Sequence, residues 1–152
     1  FVRQWQALMP HPSTRDRIGH YGSKIFTEPV SDYVWLPVYA TVAGAVPIAE
    51  LPEVEGRSRS HLGVLRTVLD VKTAGPVNVK LTGNLAGLEL FLDDEEIPLP
   101  DQGNEAELVL DVKEPGKRKL TLAGVKGQGF DAISLELLED AAKAGLVEIK
   151  NF

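Results

Sequence analysis

Between Leu65 and Leu137 the chain alternates apolar and polar positions with a period of two. Leu65, Thr67, Leu69 and Val71 are interleaved with Arg66, Val68, Asp70 and Lys72, and Val77, Val79 and Leu81 with Asn78 and Lys80. The rhythm continues in Leu88, Leu90 and Leu92, then Leu108, Leu110 and Val112, then Leu120 and Leu122, then Ile133, Leu135 and Leu137. Each set is separated from the next by Gly, Pro, Asp or Asn. Successive side chains of an extended segment point to opposite faces, so each set carries one apolar face. Short strands at roughly 10-residue spacing, broken by turn residues, predict an all-β fold: an antiparallel two-sheet β-sandwich, jelly-roll-like.

The flanks have a different texture. Residues 1–30 read as an irregular arm rich in Pro, His, Arg, Gly and aromatics (Phe1, Trp5, Tyr21, Phe26), with a candidate short strand at Phe1 to Trp5. Tyr33 to Val42 is an apolar run whose Pro37 has no N–H for a ladder, which predicts an edge strand or one broken at a bulge. Gly44 to Ser60 reads as a Pro- and Glu-bearing loop. After Leu137, the residues Leu138, Ala141, Ala142 and Lys143 ahead of Gly145 fit a short helical turn ended by glycine, with Leu146 to Phe152 as a tail or last strand. The expected organisation is one sandwich module over 1–152, with the arm at 1–30, the sandwich at 31–137 and the turn and tail at 138–152.

A chain of 152 residues suits one domain, able to bury roughly two thirds of the surface of its unfolded form. With a formal net charge of −6 and acids spread along the chain, no broad positive field awaits a phosphate backbone, so nucleic acid is not an expected partner. The absence of cysteine excludes disulfides, thiolate metal sites and covalent c-type haem within this chain. No apolar run approaches the ~18 residues of a membrane span. The chain opens on Phe1 and reads as a piece of a longer protein.

Each group with chemical potential has a plainer reading beside it. Asp93, Asp94, Glu95 and Glu96 form an acidic cluster in a tight turn; such oxygens suit calcium, but the EF-hand spacing is missing and Asp is at home in turns. Gly124, Gly127 and Gly129 suggest a phosphate-cradling loop, yet a strand rather than a helix is expected after them. His11, His20 and His61 lack a metal-ligand spacing, and Ser60-His61 lacks a nucleophile elbow. Arg57 and Arg59 suit a carboxylate or a phosphate, or simply water. No metal, no cofactor and no catalytic residues are expected, and the chain does not read as an enzyme.

The aromatics are the most informative set. Tyr33 and Trp35 share one strand face, with Val34 and Leu36 on the other. Phe91 points away from the core face claimed by Leu90 and Leu92, alongside Glu89 and Asp93. Tyr33, Trp35 and Phe91 are therefore the candidate ligand-binding residues. Exposed and coplanar, they would stack on sugar rings; plugging the sandwich or lying under the N-terminal arm, they would serve packing or docking.

The runs Gly87-Leu-Glu-Leu-Phe-Leu-Asp-Asp-Glu-Glu-Ile97, Leu108-Val-Leu-Asp-Val112, Pro115-Gly-Lys-Arg-Lys-Leu-Thr-Leu122 and Phe130-Asp-Ala-Ile-Ser-Leu-Glu-Leu137 resemble PA14-like and carbohydrate-binding-like β-sandwich modules. Phe1-Val-Arg-Gln-Trp5 and Trp35-Leu-Pro-Val-Tyr-Ala-Thr-Val42 are similar to segments of large secreted planctomycete-type proteins in which such modules accompany c-type cytochrome domains. The resemblance implies a noncatalytic accessory module of a larger extracytoplasmic (periplasmic or secreted) protein. Its implied partner is polysaccharide or, as the alternative, another domain or subunit onto which it docks. In PA14-like lectins an Asp-Asp pair before the aromatic strand holds calcium. Here that stretch is Gly83-Asn84-Leu85-Ala86-Gly87, so the calcium-dependent mechanism does not carry over.

Overall fold

The computed structural model describes residues 2, 4–10, 26–27, 33–41, 44–48, 51–55, 61–85, 87–100, 103–125, 132–138 and 147–149. These hold twelve strands: β1 (Gln4–Leu8), β2 (Trp35–Tyr39), β3 (Val46–Pro47), β4 (Val54–Glu55), β5 (His61–Val71), β6 (Gly75–Thr82), β7 (Glu89–Leu92), β8 (Glu95–Ile97), β9 (Glu105–Val112), β10 (Gly116–Val125), β11 (Ala132–Leu137) and β12 (Val147–Ile149). No α-helix occurs among the described residues. The larger sheet runs β2-β1-β5-β10-β7-β8 and the smaller one β3-β11-β6-β9, with every pairing antiparallel. The predicted all-β two-sheet sandwich is the observed architecture.

Alternation explains how the sheets meet. Trp5 and Ala7 of β1, Leu65, Leu69 and Val71 of β5, Leu120 and Leu122 of β10, and Leu90 and Leu92 of β7 form the inner face of the larger sheet. Val77, Val79 and Leu81 of β6, Leu110 and Val112 of β9, and Ile133 and Leu135 of β11 face them, and all belong to one buried cluster. The polar atoms caught inside are satisfied: Trp5 Nε1 donates to the Val2 carbonyl at 3.2 Å, and Thr67 Oγ1 donates to the Gln4 carbonyl at 3.0 Å. Such pairing removes the desolvation cost of an orphaned donor.

β5 organises the larger sheet because it is long enough to serve several partners along one edge. β4 pairs at Leu62, β1 at Leu65 and Arg66, and β12 from Leu69 to Val71, while β10 runs along the opposite edge. The larger sheet also carries a second, smaller core on its outer face. There Leu8, Phe26, Tyr33, Val54, Leu62, Val64 and Ala123 pack together with Trp35 against them. Phe26 thus ties part of the N-terminal arm to the back of the sheet.

Several boundaries differ from expectation. Where a strand is expected over Phe1 to Trp5, the observed one is Gln4–Leu8, with Phe1 and Arg3 outside the described residues; Leu8 turns to the outer face while Trp5 and Ala7 enter the core. The expected loop Gly44 to Ser60 contributes β3 and β4, each two residues long and too short to show a period. The acidic turn is tighter than expected: Asp93 and Asp94 alone make it, and Glu95 and Glu96 already belong to β8. Val147–Ile149 of the tail adds a strand to β5. The expected helical turn at Ala141 to Gly145, most of the glycine loop 126–130, His11, His20, Arg57, Arg59 and Ser60 lie outside the described residues.

Candidate functional site

β2 forms one edge of the larger sheet, pairing with β1 in the register Gln4↔Tyr39, Gln6↔Pro37 and Leu8↔Trp35. Of the two readings Pro37 allowed, an edge or a bulge, β2 takes the edge. Tyr33 and Trp35 do share a face, both turned toward the outer-face core. Tyr33 is 6% exposed and Phe91 3%, while Trp35 is half-buried. Phe91 does point away from the main core, yet it is covered, in register with Thr121, which is also buried.

Trp35 carries a cation on its ring. The Arg66 guanidinium sits 3.9 Å from the indole centroid, and its Nε donates to Gln6 Oε1 at 2.6 Å. The stack forms because Arg66 and Gln6 are directly opposed on the outer face and the edge aromatic lies beside them. Burial pushes the Arg66 pKa below its ordinary value. An arginine nonetheless stays charged at neutral pH, and a cation over an indole contributes roughly 0.5–2 kcal/mol. One face of Trp35 is therefore already occupied, and Tyr33, Trp35 and Phe91 do not form a common open platform.

What β2 and the residue before it expose is a different set. Among the described residues the exposed large hydrophobics are Val34 (57%), Leu36 (41%), Tyr39 (67%) and Val109 (60%). Three of these four lie within six consecutive positions of one edge, so the apolar exposure is concentrated there. The aromatic signal of the sequence located the strand correctly. It missed which aromatic faces water: Tyr39, opposite Gln4 at the end of the strand, is the exposed one.

Clefts also lie away from β2. At one end of the sandwich a cavity of about 240 Å³ is lined by Asp93, Asp94, Glu95, Asp111, Glu114 and Arg118 among others. Its charges mainly hold the turns together. Asp93, at a positive φ of 53°, accepts from the Lys119 N–H at 3.0 Å, and Arg118 donates to the carbonyls of Glu114 and Pro115. Among the described residues no group of three or more His, Asp or Glu side chains is arranged to hold a metal ion. The second cleft, about 520 Å³, opens on the outer face of the smaller sheet. Thr82 and Ser134, paired across β6 and β11, line it with Gly83, Asn84, Asn104 and Ala132.

No family model and no curated protein sequence matches this chain. Among solved structures it is similar to a selenomethionine-labelled beta-glucosidase from Kluyveromyces marxianus, at 13% identity and a TM-score of 0.49, over 89% of this chain and 14% of that one. It is similar, too, to the beta-glucosidase of that organism in complex with glucose, at 14% identity and a TM-score of 0.47, over 89% and 16% of the two chains. This chain therefore spans about a sixth or less of either enzyme's length, and likenesses at this level say nothing of what it binds. The β-sandwich architecture stands on the strands themselves; neither a PA14 family nor a cytochrome-bearing parent gains support from a matching family.

Proposed function

We propose that this chain is a noncatalytic accessory module of a larger extracytoplasmic protein and that it docks on a neighbouring domain or subunit through the β2 edge. The observation that carries the reading is apolar exposure on both faces of that edge, Val34 and Leu36 on one and Tyr39 on the other. Water gains nothing from such a display, whereas covering apolar surface on docking yields about 25 cal/mol per Å². Pro37 sits between Leu36 and Tyr39 and supplies no N–H, so side-chain packing rather than strand addition is the mode the edge favours. Of the three candidate residues Tyr33, Trp35 and Phe91, only Trp35 is open enough to take part. Hydrogen exchange tests the reading: amides of residues 34–40 exchange more slowly in the parent protein than in the isolated module. Equal rates in both would remove the docking surface. Carbohydrate binding is the second reading, and the uncharged cleft on the smaller sheet favours it.

A further inference from the structure

We propose that the cleft formed by Thr82, Gly83, Asn84, Asn104 and Ser134 is a binding site for a neutral saccharide. The proposal rests on the carbohydrate reading and moves the site away from the aromatics on which that reading began. No lining residue of this cleft is ionisable, in contrast to the acid-lined cavity at the Asp93 turn and to the cleft of about 360 Å³ that includes Glu89 and Glu96. The adjacent strand position, Glu105 opposite Thr82, carries a carboxylate already engaged by Lys80 Nζ at 3.4 Å. Amides and hydroxyls each both donate and accept, which matches the hydroxyl groups of a sugar, while Ala45, Ala132 and Ile133 in the same lining suit the apolar face of its ring; an anion or a cation finds no opposite charge there. The volume is in the range of small-molecule sites.

The walls are fixed before any ligand arrives. The Gly83 N–H donates to the Asn104 carbonyl at 2.8 Å and the Leu85 N–H to the Gly103 carbonyl at 3.0 Å, clamping the two loops that carry Asn84 and Asn104. Leu85 is buried in the main core and anchors the clamp. Gly83 itself, at φ 146°, lies so close to β11 that a Cβ there would stand 2.7 Å from the Ala132 carbonyl oxygen. Loops held this way lose little entropy on binding, which preorganises the polar groups.

Titration of the ¹⁵N-labelled chain with cellotetraose, laminaritetraose, mannotetraose and tetragalacturonic acid, each to ~10 mM, tests the site within the millimolar affinities expected of a few hydrogen bonds. At least one neutral tetrasaccharide shifts the amides of residues 82–84, 103–105 and 132–134, and the acidic one does not. Thr82→Val with Asn104→Ala weakens that binding about tenfold, each lost hydrogen bond accounting for about two- to tenfold. Both substitutions are on the surface and leave the urea midpoint close to that of the wild type. Absence of binding to every neutral probe would overturn both the site and the carbohydrate reading. Shifts confined to residues 33–39 and abolished by Trp35→Ala would keep carbohydrate binding and overturn this site. Equal binding of tetragalacturonic acid at the cleft would overturn the neutral-ligand assignment.

Discussion

Leu110 and Val109 are adjacent on β9 and face opposite ways, which makes them a sharp test of the sandwich. Leu110 is paired with Val77, and both are buried in the core between the sheets; Val109 is paired with Asn78 and exposed on the outer face. Leu110→Ala removes three buried carbons, worth about 0.8 kcal/mol each in transfer free energy, or ~2.4 kcal/mol. The unfilled cavity adds to this and brings the expected cost to about 2–5 kcal/mol. With a urea m-value of about 2 kcal/mol/M, the midpoint falls by about 1–2.5 M. Val109→Ala gives up no core packing and costs about 0.5 kcal/mol, a midpoint shift of roughly 0.25 M. Equilibrium urea unfolding followed by tryptophan fluorescence measures both. Similar midpoints for the two variants would refute the assignment of faces on β9, and with it the register to β6. Leu90→Ala, on the inner face of β7, is expected to match Leu110→Ala.

Gly83→Ala is expected to destabilise by more than about 2 kcal/mol, since the new Cβ would meet both Ala132 O at 2.7 Å and Ile133 Cδ1 at 2.8 Å. Gly87→Ala, at φ 71° with nothing within 4 Å, bears only the ~1 kcal/mol conformational cost, and thermal melts that rank the pair the other way would contradict the close approach of the β6 end to β11. Arg66→Gln uncovers the Trp35 ring while Trp5 stays buried, so acrylamide quenching of fluorescence should rise; unchanged quenching would argue against the stack. Calcium at ~5 mM is expected to leave the melting temperature where it was, and a rise of several degrees that Asp94→Ala abolishes would reveal a site at the turn. Thr67→Val exposes the Gln4 carbonyl to an apolar neighbour and should cost about 1 kcal/mol in the urea midpoint analysis; a neutral result would mean that this buried bond contributes nothing net.

The alternation of Leu65 to Leu137 determined the all-β architecture and the inner face of nearly every long strand, because a period of two leaves only one way to bury each apolar row. Pro37, through the N–H it lacks, limited β2 to an edge or a bulge, and the sheet order made it an edge. The sequence also placed Tyr33 with Trp35 and turned Phe91 from the core, since side-chain direction along a strand is a local property. Whether those rings meet water was decided elsewhere. Val54, Leu62 and Val64 come from more than twenty positions away to join Tyr33 and Phe26 in the outer-face core, and Arg66, 31 positions from Trp35 in the chain, is brought over its indole only by the β2-β1-β5 order. The uncharged cleft is likewise a product of tertiary structure. Thr82, Asn104 and Ser134 are separated by more than twenty positions each and carry no motif, so only the pairing of β6 with β9 and β11, and the clamp of Gly83 on Asn104, bring them together. Local periodicity sets the direction in which a side chain points; long-range pairing sets what it finds there.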